Sequence, residues 1–284
     1  MHKGYHISMA SELLSHCESR AECYMDIGRA QKDAAKKVIK EKILSGKWVI
    51  DGEGTESEWF PQLKKHVFIS HSHKDEGTAL FLAGLLKDRL GIDAFVDSAA
   101  WGCYRELAAR LYEAARGPYM SLSSSQKDLL RSSATEHAHC MLSKSLIQMM
   151  DRCECMFFLN TKASVGLNNI GTSDYSTFSP WIYTEIEASR VLRRYKYQRF
   201  FAKAANESLR SFARGETVRV QVSYPLNLEH LDKLSPQRFF QWVANAEEKK
   251  RHLADDQYRP YKLLDELYAN TEKVSPAWLS SVGD

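Results

Sequence analysis

His66-Val67-Phe68-Ile69-Ser70-His71-Ser72-His73-Lys74-Asp75 is the stretch on which the fold turns. Its opening run, 66–70, is β-branched and aromatic without polar alternation, as expected of a strand covered on both faces. The polar segment 70–75 reads as a turn. Beyond it Ala79, Leu82, Ala83, Leu86 and Leu90 recur on one helical stripe, and Gly91 stands where a C-terminal stop is expected. Ile92-Asp93-Ala94-Phe95-Val96-Asp97-Ser98 reads as a second strand. Strand, helix and strand fit into about 32 residues, the scale of a β-α-β unit with a right-handed crossover. The expected fold class is α/β, a parallel sheet flanked by helices.

Outward from this unit, residues 101–151 read as mostly helical, broken at Gly117-Pro118 and at the serine-rich 121–125. They lead into a third strand, Cys155-Met156-Phe157-Phe158-Leu159-Asn160. The polar stretch 161–178 that follows is long for a connection, which favours a functional loop. A helix begins at Pro180, and 217–223 alternates strictly, as an edge strand does. Residues 8–47 carry helical periodicity, with Gly46 near its end, and 51–58 is a polar, glycine-containing linker. The reading is a helical N-terminal extension over 1–60, a sheet domain over 64–225 and a helical C-terminal extension over 226–284.

Composition narrows the function classes. The 284 residues include 39 Lys and Arg against 36 Asp and Glu, a net +3, too small for bulk charge to indicate nucleic acid. The basic, aromatic-rich run from Arg190 to Lys203 is expected to be a solvated helix face rather than a nucleic-acid surface. A mean hydropathy of −0.43 argues against a membrane span, as does the lack of any apolar run near ~18 residues. Met1-His2-Lys3-Gly4-Tyr5-His6 does not open an apolar signal core, so a cytoplasmic location is expected. The six cysteines are irregularly spaced and form no disulfide framework. Cys153 and Cys155, at i and i+2, would share a strand face, and His137, His139 and Cys140 lie upstream. Without a CxxC spacing, ordinary buried thiols and helix-surface histidines are the expectation, and no metal is assigned.

In an open parallel sheet, ligands bind beyond the carboxyl ends of the strands. The polar residues there are Ser70, His71, Ser72 and His73 after the first strand, Asp97, Ser98 and Trp101 after the second, and Asn160 and Thr161 after the third. Neither GxGxxG nor GxxxxGK[ST] occurs, so a standard dinucleotide or P-loop phosphate site is not supported. A sharper feature is Ser179-Pro180-Trp181-Ile182-Tyr183-Thr184-Glu185. Ser179 suits an N-cap and Pro180 the first helical position, which stacks Trp181 and Glu185 on one face.

The 66–75 segment, its helix, Phe95-Val96-Asp97-Ser98 and the later Ser179, Trp181 and Glu185 together resemble a bacterial-type Toll/interleukin-1 receptor (TIR) domain, over about residues 64–225. The long 102–140 stretch and the alternating 218–223 strand depart from that pattern. The resemblance implies a flavodoxin-like sheet and cleavage of NAD+ at the nicotinamide–ribose bond, with NAD+ as substrate and no cofactor. It implies that Glu185 is catalytic. Trp181 or Trp101 would stack on a substrate ring, and Ser70, His71 and Ser72 would touch ribose or phosphate, with Asp97 and Ser179 beside them. It further implies self-association through TIR–TIR contacts, a sensor or activator partner, and a role in defence or toxicity. Two other readings stand beside it: a non-catalytic TIR-like assembly module, and an enzyme similar to nucleoside deoxyribosyltransferases.

Overall fold

The computed structural model describes residues 3–8, 21–30, 38–44, 47–101, 103–117, 121–167, 175–192 and 223–271. The decisive stretch forms β4 (Val67–Ser70), all of it buried. A short 3-10 turn (His73–Asp75) then leads to a helix, Glu76–Leu85, that widens into a π-helical turn, Leu86–Leu90. Gly91 ends it at φ 70, in the left-handed region, where a side chain would be strained. The second strand is shorter than expected: β5 covers Ala94–Phe95, and Asp97–Ala100 is already helical. β6 (Cys155–Asn160) matches the third expected strand.

These strands belong to a five-stranded sheet in the order β10 (Asp232–Leu234), β1 (Lys3–Ser8), β6, β4 and β5. Each pairing within it is parallel. From the β5 edge, β5-β4-β6 keep the second-first-third order of a flavodoxin-like sheet. The next place is taken by β1, and the far edge by β10. The boundaries expected at 60 and 226 therefore do not separate extensions from a sheet domain. Both flanking segments supply strands to the same sheet. The N-terminal 1–60 is also less helical than its periodicity suggests. Besides β1 it holds an antiparallel hairpin, β2 (Glu41–Leu44) with β3 (Lys47–Ile50). The helical readings over 9–20 and 31–37 lie outside the described residues, as do 193–222, with most of the basic run and most of the alternating 217–223 segment.

Alternation along each buried strand divides the interior into two cores. Val67, Ile69, Phe157, Leu159, Tyr5 and Ile7 face one side of the sheet. There they meet helices α1 (Ala21–Ala30), α3 (Glu76–Leu85), α8 (Pro236–Lys250) and α9 (Arg259–Thr271). Phe68, Phe95, Met156 and Phe158 face the other. That side is covered by α2 (Gly52–Trp59), α5 (Tyr104–Arg116), α6 (Ser124–Arg152) and α7 (Pro180–Val191), with α4 (Asp97–Ala100) at its rim. A small antiparallel sheet, β7 (Gly166–Leu167), β8 (Tyr175–Thr177) and β9 (Tyr224–Leu226), lies alongside α7, where Tyr183 stacks on Tyr224 at 4.7 Å. Among the described residues no helix is long and apolar enough to cross a membrane.

Candidate active site

The chain passes from β4 to β5 on one side and, by way of α5 and α6, to β6 on the other. The crevice between the carboxyl ends of β4 and β6 is thus a topological switch point, where ligands of open α/β sheets bind. Ser70 is the last residue of β4, paired in register with Phe158. Its Oγ donates a hydrogen bond of 2.5 Å to Oε2 of Glu185.

Glu185 reaches this point from α7, whose start is set by the expected cap. Ser179 Oγ accepts the Ile182 N–H at 3.3 Å, and Pro180 occupies the first turn. Ser179 also donates its own N–H to Thr177 Oγ1. The second turn of α7 then places Glu185 inside, 5% exposed, with Ile182 and Ile186 packed into the core beside it. Burial lifts its carboxyl to about 8, and the negative charge of Asp97 adds to the lift. The Ser70 hydrogen bond opposes it, because it favours the charged form. A carboxyl poised near 8 gains or loses its proton in response to a single added charge.

The other expected residues divide. His71 is buried next to Ser70, and its Nδ1 lies 3.2 Å from the Ile69 carbonyl and 3.8 Å from Asp97 Oδ1. Its Nε2 lies 3.4 Å from Ser98 Oγ. These contacts fit a tautomer that donates from Nδ1 to the carbonyl and accepts from Ser98 at Nε2. Asp97 is 41% exposed at the side chain, whereas His71 is buried. Ser72 caps the 3-10 turn by accepting the Lys74 N–H at 3.3 Å, and Asp75 accepts from Thr161 Oγ1 at 2.6 Å, tying the loop after β4 to the loop after β6.

The two indoles have different fates. Trp101 is in the core, packed edge-on to Phe95 at 4.8 Å and Phe60 at 5.4 Å, and its Nε1 donates to the Pro61 carbonyl. Its surface is spent on these neighbours, whereas Trp181 keeps part of its ring open. That ring is half-buried, 5.6 Å from Tyr104 and 5.4 Å from His139, which are themselves 4.5 Å apart. Tyr104 escaped the sequence reading, and His139, expected on the helix surface, is instead half-buried beside it; no pattern links the first turn of α5 to the middle of α6. Cys153 and Cys155 do not share a face: Cys153 ends α6 and enters one core, and Cys155 opens β6 and enters the other. Burial pushes the Cys153 thiol up to about 12 and Cys155 well above its ordinary range. No set of three His, Cys, Asp or Glu side chains among the described residues is placed to hold a metal ion.

Comparison of the chain with models of known families, with curated proteins and with solved structures gave no match.

Proposed function

We propose that this chain is a TIR-like NAD+ glycohydrolase, cleaving the nicotinamide–ribose bond with Glu185 as its catalytic carboxylate. The observation that carries this reading is the seat of Glu185. It is a nearly buried acid at the carboxyl ends of the central strands, on the same helix face as a half-buried indole four residues earlier.

The chemistry follows from that seat. Nicotinamide is cationic while bound to ribose and leaves as a neutral ring, so the bond breaks without a general acid. Positive charge then develops on the ribose as an oxocarbenium-like species. A carboxylate fixed beside it stabilises that charge and holds the ribose hydroxyls. The cationic substrate supplies the field that ionises a carboxyl otherwise near neutral. Water adds at the anomeric carbon to give nicotinamide, ADP-ribose and a proton, whereas attack by an internal nucleophile of the same molecule gives a cyclic isomer. Ser70 keeps the carboxylate aimed, and the Asp97–His71–Ser98 group forms the rim toward ribose and phosphate. NAD+ is the substrate and no cofactor is called for.

The near closure of the site fits an enzyme switched on by assembly. Self-association through TIR–TIR contacts, or a sensor protein, would open the crevice in a cytoplasmic defence or toxin effector. The same closure favours a second reading, a non-catalytic assembly module in which Glu185 and Ser70 only lock α7 to β4. NAD+ consumption by wild type and Glu185→Gln, assayed by mass spectrometry under crowding with a panel of nucleosides included, decides between them. Loss of cleavage in the Gln variant alone supports the enzyme. Intact NAD+ in both supports the module, and turnover of nucleosides in place of NAD+ points to a deoxyribosyltransferase-like activity.

A further inference from the structure

Three helices bring three rings together beside α7's catalytic face. Tyr104 comes from the first turn of α5, His139 from the middle of α6 and Trp181 from the first turn of α7, with centroids 4.5 to 5.6 Å apart. All three side chains are half-buried, so the cluster is a partly open wall rather than a sealed core. The tyrosine hydroxyl accepts a hydrogen bond from Arg105 Nε at 3.2 Å. His139 differs: its Nε2 is buried and has no hydrogen-bond partner among the described residues. An imidazole nitrogen held out of water without a partner costs free energy, and a ligand that supplies the partner recovers it.

Resting on the glycohydrolase reading above, we propose that His139 is a specificity-determining substrate contact. Its Nε2 hydrogen-bonds the carboxamide of the departing pyridine, whose ring lies against Trp181 and Tyr104.

The chemistry suits that ligand. A cationic pyridinium is attracted to aromatic faces, and Trp and Tyr are good partners for it. A carboxamide offers both a carbonyl oxygen and an N–H, so it pairs with either tautomer of a neutral imidazole. Burial and the nearby Arg105 charge lower the His139 pKa, which keeps a second cation away from the pyridinium. Trp181 lies one helical turn before Glu185, which sets the leaving ring on one side of the carboxylate and the ribose over it.

The test measures nicotinamide and ADP-ribose binding to the full chain by titration calorimetry, alongside NAD+ cleavage, for wild type, His139→Phe and His139→Gln. Phenylalanine keeps the ring and removes the nitrogen, and glutamine restores an amide near Nε2. The Phe variant is expected to bind nicotinamide about tenfold more weakly, with the Gln variant recovering most of the loss and ADP-ribose affinity the same in all three. Wild-type nicotinamide affinity in the Phe variant overturns the inference. So does an equal loss for both ligands, which marks a structural role, and so does an absence of nicotinamide binding in wild type. If nicotinamide binding depends on His139 while NAD+ stays intact, the carboxamide site stands and the glycohydrolase reading falls. A Phe variant that cleaves NAD+ with wild-type KM and binds nicotinamide normally removes this inference and leaves Glu185's role untouched.

Discussion

Ser70 and Glu185 lie 115 residues apart in the chain and meet through one hydrogen bond of 2.5 Å at the carboxyl end of β4. Three influences act on this carboxyl: burial and Asp97 push its pKa up, and Ser70 holds it down. The two side-chain influences, Asp97 and Ser70, can be removed separately, and their signs are opposite.

On the glycohydrolase reading, the rate of NAD+ cleavage should follow the ionised fraction of Glu185. In the free enzyme kcat/KM is expected to rise with pH and level off above about 8. Ser70→Ala should move the midpoint to higher pH and Asp97→Asn to lower pH. Glu185→Gln should lower the rate by about a hundredfold or more at every pH. Initial-rate profiles between pH 6 and pH 9.5 check this, and a midpoint that ignores both neighbours would assign the titration to another group.

Stability should respond to the same group. Below 4.5, the ordinary value, the carboxyl is protonated in folded and unfolded chains alike, and its contribution is intact. As pH rises from there to about 8, the unfolded chain releases the proton and the native one keeps it, so stability falls. Above about 8 the loss is complete. Glu185→Gln carries no such loss, so its Tm advantage over wild type should widen from pH 5 to pH 8.5, by about 2–4 °C for each kcal/mol. Parallel melting curves across that range would contradict the placement of the carboxyl.

The packing of α1 against α3 depends on two glycines. A Cβ on Gly84 would stand 1.7 Å from the Tyr24 carbonyl oxygen, and one on Gly28 would stand 2.2 Å from the Leu80 carbonyl oxygen. Backbone lies at both contacts, so neither clash is relieved by rotating a side chain. Gly84→Ala is expected to cost about 1–3 kcal/mol or more in urea denaturation, in spite of the better helix propensity of alanine. A neutral or stabilised variant would mean that the two helices are farther apart.

A fragment spanning 64–225 should not fold by itself. It lacks β1 and β10, leaving β6 as an unpaired edge, and it lacks Phe239, Trp242, Leu263 and Leu264, which cover one face of the sheet. Broad, non-cooperative unfolding with dye binding to exposed apolar surface is the expected result. A sharp melt would show that the flanking segments are dispensable.

What was legible in the sequence were the elements that carry their own signals. β4 and β6 are unbroken apolar runs, the π-helical turn that continues α3 ends at Gly91, and α7 begins with serine and proline. Each is specified by local chemistry, and Glu185 could be placed because its helix start could. β1 gives no such signal: Lys3-Gly4-Tyr5-His6-Ile7-Ser8 is half polar, and its partners come from residues 155–160 and 232–234. β10 is three residues long and two of them are charged. The site divides along the same line. The carboxyl and its cap were readable, whereas the Tyr104–His139–Trp181 cluster exists only once three helices have packed. Trp101 shows the converse error, since an indole just past a strand end has the position of a ligand contact, yet its N–H is taken by the Pro61 carbonyl.

The seating of β1 between β6 and β10 also has a bearing on synthesis. Tyr5 leaves the ribosome well before its partners, and it must wait for Phe157 and then for Asp232 before it is flanked on both sides. At ~5–20 residues per second the wait for the second neighbour is on the order of ten seconds or more. Until then the nascent polypeptide holds an unfinished scaffold, so whatever the centre does in the cell waits until residues 232–234 have been made.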